Sequence, residues 1–297
     1  MKRILFLTLI LALLSGCASQ PVQADIAATT LPVYEFTVRL CQGTPLTVTR
    51  LVTEEVSCLH DYSLNVKQVK AAEAAQCIVI SGAGLETFMD DVLAKKAGID
   101  ASQGIQLIAS KEIHHHDDHE SHHHEEHDGH HHESDPHFWL SPAHAKEMAV
   151  NICKGLSVHY PDYSSVFAEN CTVLCGEIEA LAEYGRSQLA GLSCRELITF
   201  HDGFAYFAES FQLSILDAIE EESGSEASAR ELIHLIEEVE YHQLPAVFIE
   251  KSGSSSAADI ISRETGCSVF TLDMAMSGES YFDAMYHNID SVKEALQ

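Results

Sequence analysis

From His114 to Asp135 the chain carries no apolar side chain, and 11 histidines are interleaved there with Asp and Glu. A segment with nothing to bury adds nothing to a core, so it interrupts the surrounding fold as a solvated loop. Apolar sequence resumes at Pro136-His137-Phe138-Trp139-Leu140, which includes the only Trp. Imidazole and carboxylate together are donors for a borderline divalent cation. His114, His115, His116, His119, His122, His123, His124, His127, His130, His131 and His132 therefore read as an accessory loop that collects metal. His137 differs, because a Pro and an apolar run can fix it in place, as a well-defined site requires. His119-Glu120-Ser121-His122-His123 has the spacing of a zinc-protease helix. It has no apolar face to bury, so a secreted hydrolase is the least favoured reading.

The chain opens with Met1-Lys2-Arg3 and a short apolar run, Ile4 to Leu14, too short to span a bilayer and typical of an export signal. Leu13-Leu14-Ser15-Gly16-Cys17 resembles the bacterial lipobox. That resemblance implies cleavage after residue 16, a lipid on Cys17, a tether over 17–24 and an anchored extracytoplasmic protein. Loss of Lys2 and Arg3 leaves 15 basic against 45 acidic side chains, a formal charge of −30 with His neutral. Such a surface repels nucleic acid and anionic lipid and attracts cations. Cys194 and Cys267 each stand just before an expected strand and are the best-placed pair for a disulfide.

Short apolar runs alternate with helical stretches along the mature chain. Strands are expected at Asp25 to Thr29, Leu46 to Val52, Cys77 to Ile80 and Ile105 to Ala109. Helices are expected at Pro32 to Cys41, Asn65 to Ala75 and Glu86 to Ala97. Two helices then follow without a strand, one opened by Ser141-Pro142 and the other by Pro161. In the second, Phe167, Cys171, Leu174, Ile178 and Leu181 form an apolar stripe, and Gly191 marks a stop. Alternation restarts with strands at Glu196 to Thr199, Gln212 to Leu216, Ala246 to Ile249 and Ser268 to Leu272. Helices at His201 to Ser210, Ser225 to His242, Ser255 to Thr265 and Glu279 to Leu296 complete the pattern. The reading is α/β throughout: a lobe over 25–160 containing the loop 111–136, a helix over 161–190, and a second lobe over 191–297.

Open α/β sheets bind ligands just past the C-terminal ends of their strands. His201 follows one strand, Asp273 another and Glu250 a third, while His60 lies in a loop after a strand and His137 closes the long loop. Three imidazoles and a carboxylate, His60, His137, His201 and Asp273, suit the four-coordinate N/O preference of zinc. Asp61 and Asp202 each follow a candidate His and are placed to orient an imidazole, and Glu250 is a further supporting carboxylate. The isolated His144, His159, His234, His242 and His287 receive no role.

With these residues in place, the chain resembles the metal-binding receptors of zinc and manganese ABC importers, the cluster A-I solute-binding proteins. The resemblance rests on His60-Asp61-Tyr62, Gly82-Ala83-Gly84-Leu85-Glu86, Asp135-Pro136-His137-Phe138-Trp139-Leu140, Phe200-His201-Asp202-Gly203-Phe204-Ala205-Tyr206-Phe207, Leu272-Asp273 and Tyr281-Phe282. It covers nearly the whole mature chain. It implies two α/β lobes with mostly parallel sheets joined by one long rigid helix. It also implies a monomeric, non-enzymatic receptor that binds Zn2+ through His60, His137 and His201 and passes it to a membrane permease. Manganese members tend to carry a carboxylate at the third position, so His201 favours zinc over Mn2+. Some zinc receptors carry a Glu before the first His. Leu59 stands there in this chain, so the fourth ligand is Asp273 or a water. Deprotonated imidazoles bind the metal, and affinity is expected to fall with pH. The competing reading is a surface zinc buffer or adhesin in which the loop is the whole function.

Overall fold

The computed structural model describes residues 24–56, 59, 62–96, 98–109, 134–218 and 228–297. Strands made of buried residues, such as Ala246-Val247-Phe248, need cover on both faces, which a parallel sheet between helices supplies. Two such sheets form, each of four strands. The first holds β1 (Ile26–Ala28), β2 (Val48–Arg50), β3 (Cys77–Ile80) and β4 (Gly98–Asp100) in the order β2-β1-β3-β4. The second holds β5 (Glu196–Thr199), β6 (Ser214–Ala218), β7 (Ala246–Glu250) and β8 (Ser268–Leu272) in the order β6-β5-β7-β8. Every pairing is parallel.

In the first lobe α1 (Leu31–Leu40) follows β1 with Pro32 in its first turn, where the missing N–H costs nothing. Next comes α2 (Val66–Ala74), opened by a reciprocal cap. The Asn65 side chain accepts from the Lys67 and Gln68 amides at 2.9 and 3.1 Å, and the Gln68 side chain accepts from the Asn65 amide at 2.8 Å. The expected helix from Glu86 shrinks to a 3-10 turn, Thr87–Met89, and the single-turn α3 (Asp90–Leu93). Glu86, just ahead of that turn, is folded back so that its carboxylate accepts from the Ser81 and Gly82 amides.

The strand expected at Ile105 to Ala109 does not form, and β4 at Gly98–Asp100 takes its place beside β3. Three residues are too short a run to stand out by pattern. The longer run has its backbone occupied elsewhere. The Ile108 amide donates to the Tyr206 hydroxyl at 2.8 Å, and its carbonyl accepts from the Asp135 amide at 2.9 Å. The run forms only an isolated antiparallel bridge, Ala109 to Ser134, and joins neither sheet.

Between the lobes lie α4 (Pro142–His159), the 3-10 turn Pro161–Tyr163 and α5 (Ser164–Gln188). The 25 residues of α5 span roughly 37 Å. Its stripe of Phe167, Cys171, Leu174, Ile178 and Leu181 is buried in one continuous core. That core runs from Phe36 in the first lobe through Trp139 to Phe207, Tyr281 and Leu296 in the second. A Cβ added at Gly185 of α5 would lie 2.2 Å from the Phe211 ring, so the helix reaches the second lobe only because that residue has no side chain. The second lobe is completed by α6 (Ala205–Ser210), α7 (Ala229–His242), α8 (Ser256–Thr265) and α9 (Tyr281–Leu296).

Direct bonds also cross between the lobes. The Trp139 indole donates to the Met274 carbonyl at 2.8 Å, and the Tyr281 hydroxyl donates to the Trp139 carbonyl at 2.9 Å. Both rings are fully buried. The disulfide expected between Cys194 and Cys267 is absent, and both are free thiols. Strand order explains it. Cys194 precedes β5 and Cys267 precedes β8, with β7 between them, so the strand starts are roughly 9.5 Å apart, beyond the ~7 Å a disulfide can bridge.

Candidate metal centre

His137 enters the site from the first lobe, one residue ahead of the 3-10 turn Phe138–Leu140, and is only 3 % exposed. Asp135 holds it twice. One carboxylate oxygen accepts from the His137 amide at 2.9 Å and lies 2.8 Å from Nδ1 of the ring. Asp-Pro-His thus forms a side-chain turn in which a buried carboxylate fixes both backbone and ring. With Nδ1 engaged by a carboxylate, the proton belongs on Nδ1 and the lone pair on Nε2. Nε2 is buried and has no hydrogen-bond partner among the described residues, an arrangement a metal ion could use. The Trp139 ring stands edge-on at 5.4 Å and closes one side.

His201 comes from the second lobe, two residues past β5, and its ring centre is 5.3 Å from that of His137. Glu250, at the end of β7 and 7 % exposed, lies with Oε1 3.6 Å from Nδ1 of His201. Gly203 lets the two rings approach each other. A Cβ there would be 2.7 Å from the His201 ring, 3.1 Å from Nδ1 of His137 and 2.5 Å from the Met274 methyl. Any larger residue at 203 would push the imidazoles apart.

Asp273 follows β8 immediately before Met274. Its backbone is clamped by Asn288, which accepts from the Asp273 amide at 2.6 Å and donates to its carbonyl at 2.7 Å. Its carboxylate is already engaged. One oxygen accepts from the Ala275 amide at 2.8 Å, and the other pairs with the Lys251 ammonium at 3.2 Å. On the first lobe's rim, Glu86 is fully buried and accepts from Thr29, Ser81 and Gly82 at 2.7 to 2.9 Å. Burial pushes its carboxyl up to about 7 against the pull of those three bonds.

Of the residues singled out from sequence, His137, His201, Glu250 and Asp273 fall on this facing pair of rims. His60, Asp61, Cys17 and all 11 loop histidines lie outside the described residues. Leu59, fully buried, stands next to His60 in the chain. Among the described residues no group of three His, Cys, Asp or Glu gathers as a complete metal cage. Asp135, which grips His137, has no role of its own in the sequence reading beyond its place in the motif from Asp135 to Leu140. An acid two residues before a candidate ligand, with Pro between, was the available signal.

Comparison with known proteins fits this geometry. The profile of the family described as "Zinc-uptake complex component A periplasmic" matches residues 26–295. The chain belongs to that family. A second profile, the prokaryotic membrane lipoprotein lipid attachment site, matches residues 1–18, which makes the protein lipid-anchored and extracytoplasmic. No helix among the described residues is long and apolar enough to cross a membrane. The chain is 31% identical over 247 residues to a "Putative metal-binding protein" of Treponema pallidum (strain Nichols), covering 80% of this chain and 76% of that one. It is 28% identical over 285 residues to the "High-affinity zinc uptake system protein ZnuA" of Bacillus subtilis (strain 168), covering 91% and 87%. Against some longer relatives it spans 61% of their length. A structure described as "Crystal structure of ZnuA" superposes with a TM-score of 0.76 at 27% identity, covering 92% of this chain and all of that one. The family is one of solute-binding receptors that work with ABC importers, and its two-lobe α/β architecture is the one described above.

Proposed function

We propose that this protein is the zinc receptor of an ABC importer. It captures Zn2+ between its lobes and hands the ion to the membrane permease. It works as a monomer, and no bond is made or broken. Its working division is a lobe over 25–160, a linking helix over 161–190 and a second lobe over 191–297. His60, His137 and His201 are the nitrogen donors, with Asp273 or a water as the fourth. The observation that carries the reading is the His137 ring, oriented by Asp135 at 2.8 Å, with a buried Nε2 that has no partner among the described residues and lies beside the ring of His201. Neutral imidazoles favour zinc over Mn2+, which prefers oxygen donors. The loop histidines gather metal near the cleft and are accessory to it.

Calorimetric zinc titration of chelator-stripped protein from residue 25 onward, with and without residues 114–134, tests the proposal. The trimmed protein should keep one tight site, near nanomolar or roughly −12 kcal/mol, and His201→Ala should destroy it. A trimmed protein that binds nothing tightly would transfer the function to the loop, as a surface zinc buffer.

A further inference from the structure

Asp273 belongs to the second lobe by sequence, yet the chain that leaves it is held by the first. The carbonyls of Met274, Met276 and Gly278 accept in turn from the Trp139 indole at 2.8 Å, the Leu31 amide at 3.1 Å and the Arg50 guanidinium at 2.7 Å. Every second residue of this strap is thus bonded to the first lobe. At Tyr281 the amide donates to a Glu35 carboxylate oxygen at 2.6 Å. That amide is the first of α9, one of the donors a helix start leaves unpaired, and α1 of the first lobe supplies its anionic acceptor.

The path of the strap needs those grips. Ala275 and Gly278 sit at φ 53° and 93°, in the left-handed region that alanine rarely enters and that persists where the surroundings over-determine it. Met274, Ala275 and Met276 are buried in the core shared by both lobes, whereas Gly278 and Glu279 are exposed. Burial guides the inner half, and Arg50 and Glu35 guide the outer half. Both side chains are themselves held. The Arg39 guanidinium lies 3.0 Å from the other Glu35 oxygen and 4.5 Å over the Phe282 ring, and Arg50 lies 5.8 Å over the ring of Tyr34. At the inner end the Ala275 amide donates to Asp273 Oδ1 at 2.8 Å, so the turn of the strap sets the direction of that carboxylate.

The geometry points to Glu35 and Arg50 as positioning residues for Asp273. They hold the outer end of the strap to the first lobe, while Trp139, two residues from His137, holds its inner end. The carboxylate of one lobe is thereby registered against the imidazole of the other. This inference rests on the reading of Asp273 as the fourth zinc donor. Glu35 matters more than Arg50. Both bonds are charge-assisted, but that of Glu35 is partly buried, whereas that of Arg50 lies at the surface, where charged contacts contribute little.

Zinc titration of the full chain in detergent, after a chelator has stripped its metal, is the test. Asp273→Ala should weaken zinc about tenfold, Glu35→Ala about three- to tenfold and Arg50→Met by less. Glu35→Gln and Arg50→Lys, which keep an acceptor and a donor, should bind within about twofold of wild type. In the Asp273→Ala background Glu35→Ala should cost nothing more, because residues that act through one donor are not additive. Equal losses in both backgrounds, or wild-type affinity in Glu35→Ala, would overturn the inference. Arg50→Met, at an exposed site, takes the place of Glu35→Ala in the same cycle should the latter not fold. Asp273→Ala at wild-type affinity would also overturn it and leave a water as the fourth ligand, with the zinc receptor intact. A wild type without a tight site would overturn the receptor function itself.

Discussion

Two candidate donors on opposite lobes, His137 and Asp273, are held in different ways. Asp135 engages the His137 ring at Nδ1 and leaves Nε2 buried and without a hydrogen-bond partner among the described residues. Asp273 is held just as firmly through Asn288, yet both its oxygens are occupied, one by an amide and one by the Lys251 ammonium. The first is preorganised for a cation with nothing to displace. The second already holds a cation, and a metal would have to replace it. Binding strength should therefore reside in the imidazoles, with the carboxylate acting as an exchangeable fourth donor.

His137→Ala would break this contrast most severely. It removes the aimed nitrogen and leaves Asp135 buried without its partner, so zinc affinity should fall by more than about 100-fold in calorimetry. Retention of tight binding would show that the lone pair is not used. Asp135→Asn should cost about 10–100-fold, because the ring keeps its place but loses the charge that fixes its tautomer. Far-ultraviolet circular dichroism should be unchanged in that variant, which separates orientation from folding.

Glu86→Gln probes the first lobe's rim rather than its donor. An amide cannot accept from Thr29, Ser81 and Gly82 together, so unfolding free energy should drop by about 1–3 kcal/mol in urea. The pH dependence has a definite sign. The folded carboxyl titrates near 7 and the unfolded one near its usual ~4.3, so the folded state binds the extra proton between them. The contribution of Glu86 to stability is then greatest below the lower value and fades as pH rises through about 7. The gap between wild type and Glu86→Gln should narrow over that range. Lys251→Ala should have the smallest effect. The lysine is 67 % exposed and its ion pair contributes about 0–1 kcal/mol, so stability should barely change. Zinc affinity should rise by less than about tenfold as Asp273 becomes available, and a fall would mean that the ammonium helps position the carboxylate.

Much of the fold was readable because the signals were local and redundant. The stripe from Phe167 to Leu181 steps at helical spacing and is buried along its length, and Ala246 to Ile249 is apolar throughout because both faces are covered. The failures share one cause, a tertiary partner that no window of sequence contains. Ile105 to Ala109 looks like a strand, but its backbone bonds to Tyr206, some hundred residues away. Cys194 and Cys267 looked like a pair until strand order put β7 between them. At the centre, the choice of His137 and His201 came from their position past strand ends. Their 5.3 Å approach depends on Gly203 and on lobe packing, which sequence does not encode locally.

The strand orders β2-β1-β3-β4 and β6-β5-β7-β8 are the same order used twice. In each, the chain leaves the first strand of the lobe toward one edge and later returns on its other side, so a topological switch point lies between the two central strands. There the connections diverge and leave a crevice. His201 and Glu250 emerge from β5 and β7, the pair at that point, and Thr29 and Ser81 emerge from β1 and β3, its counterpart. The hollow is thus a property of the winding, present whichever side chains line it. The choice of ion becomes a separate variable, open to change by substituting a few rim residues while the scaffold stays untouched.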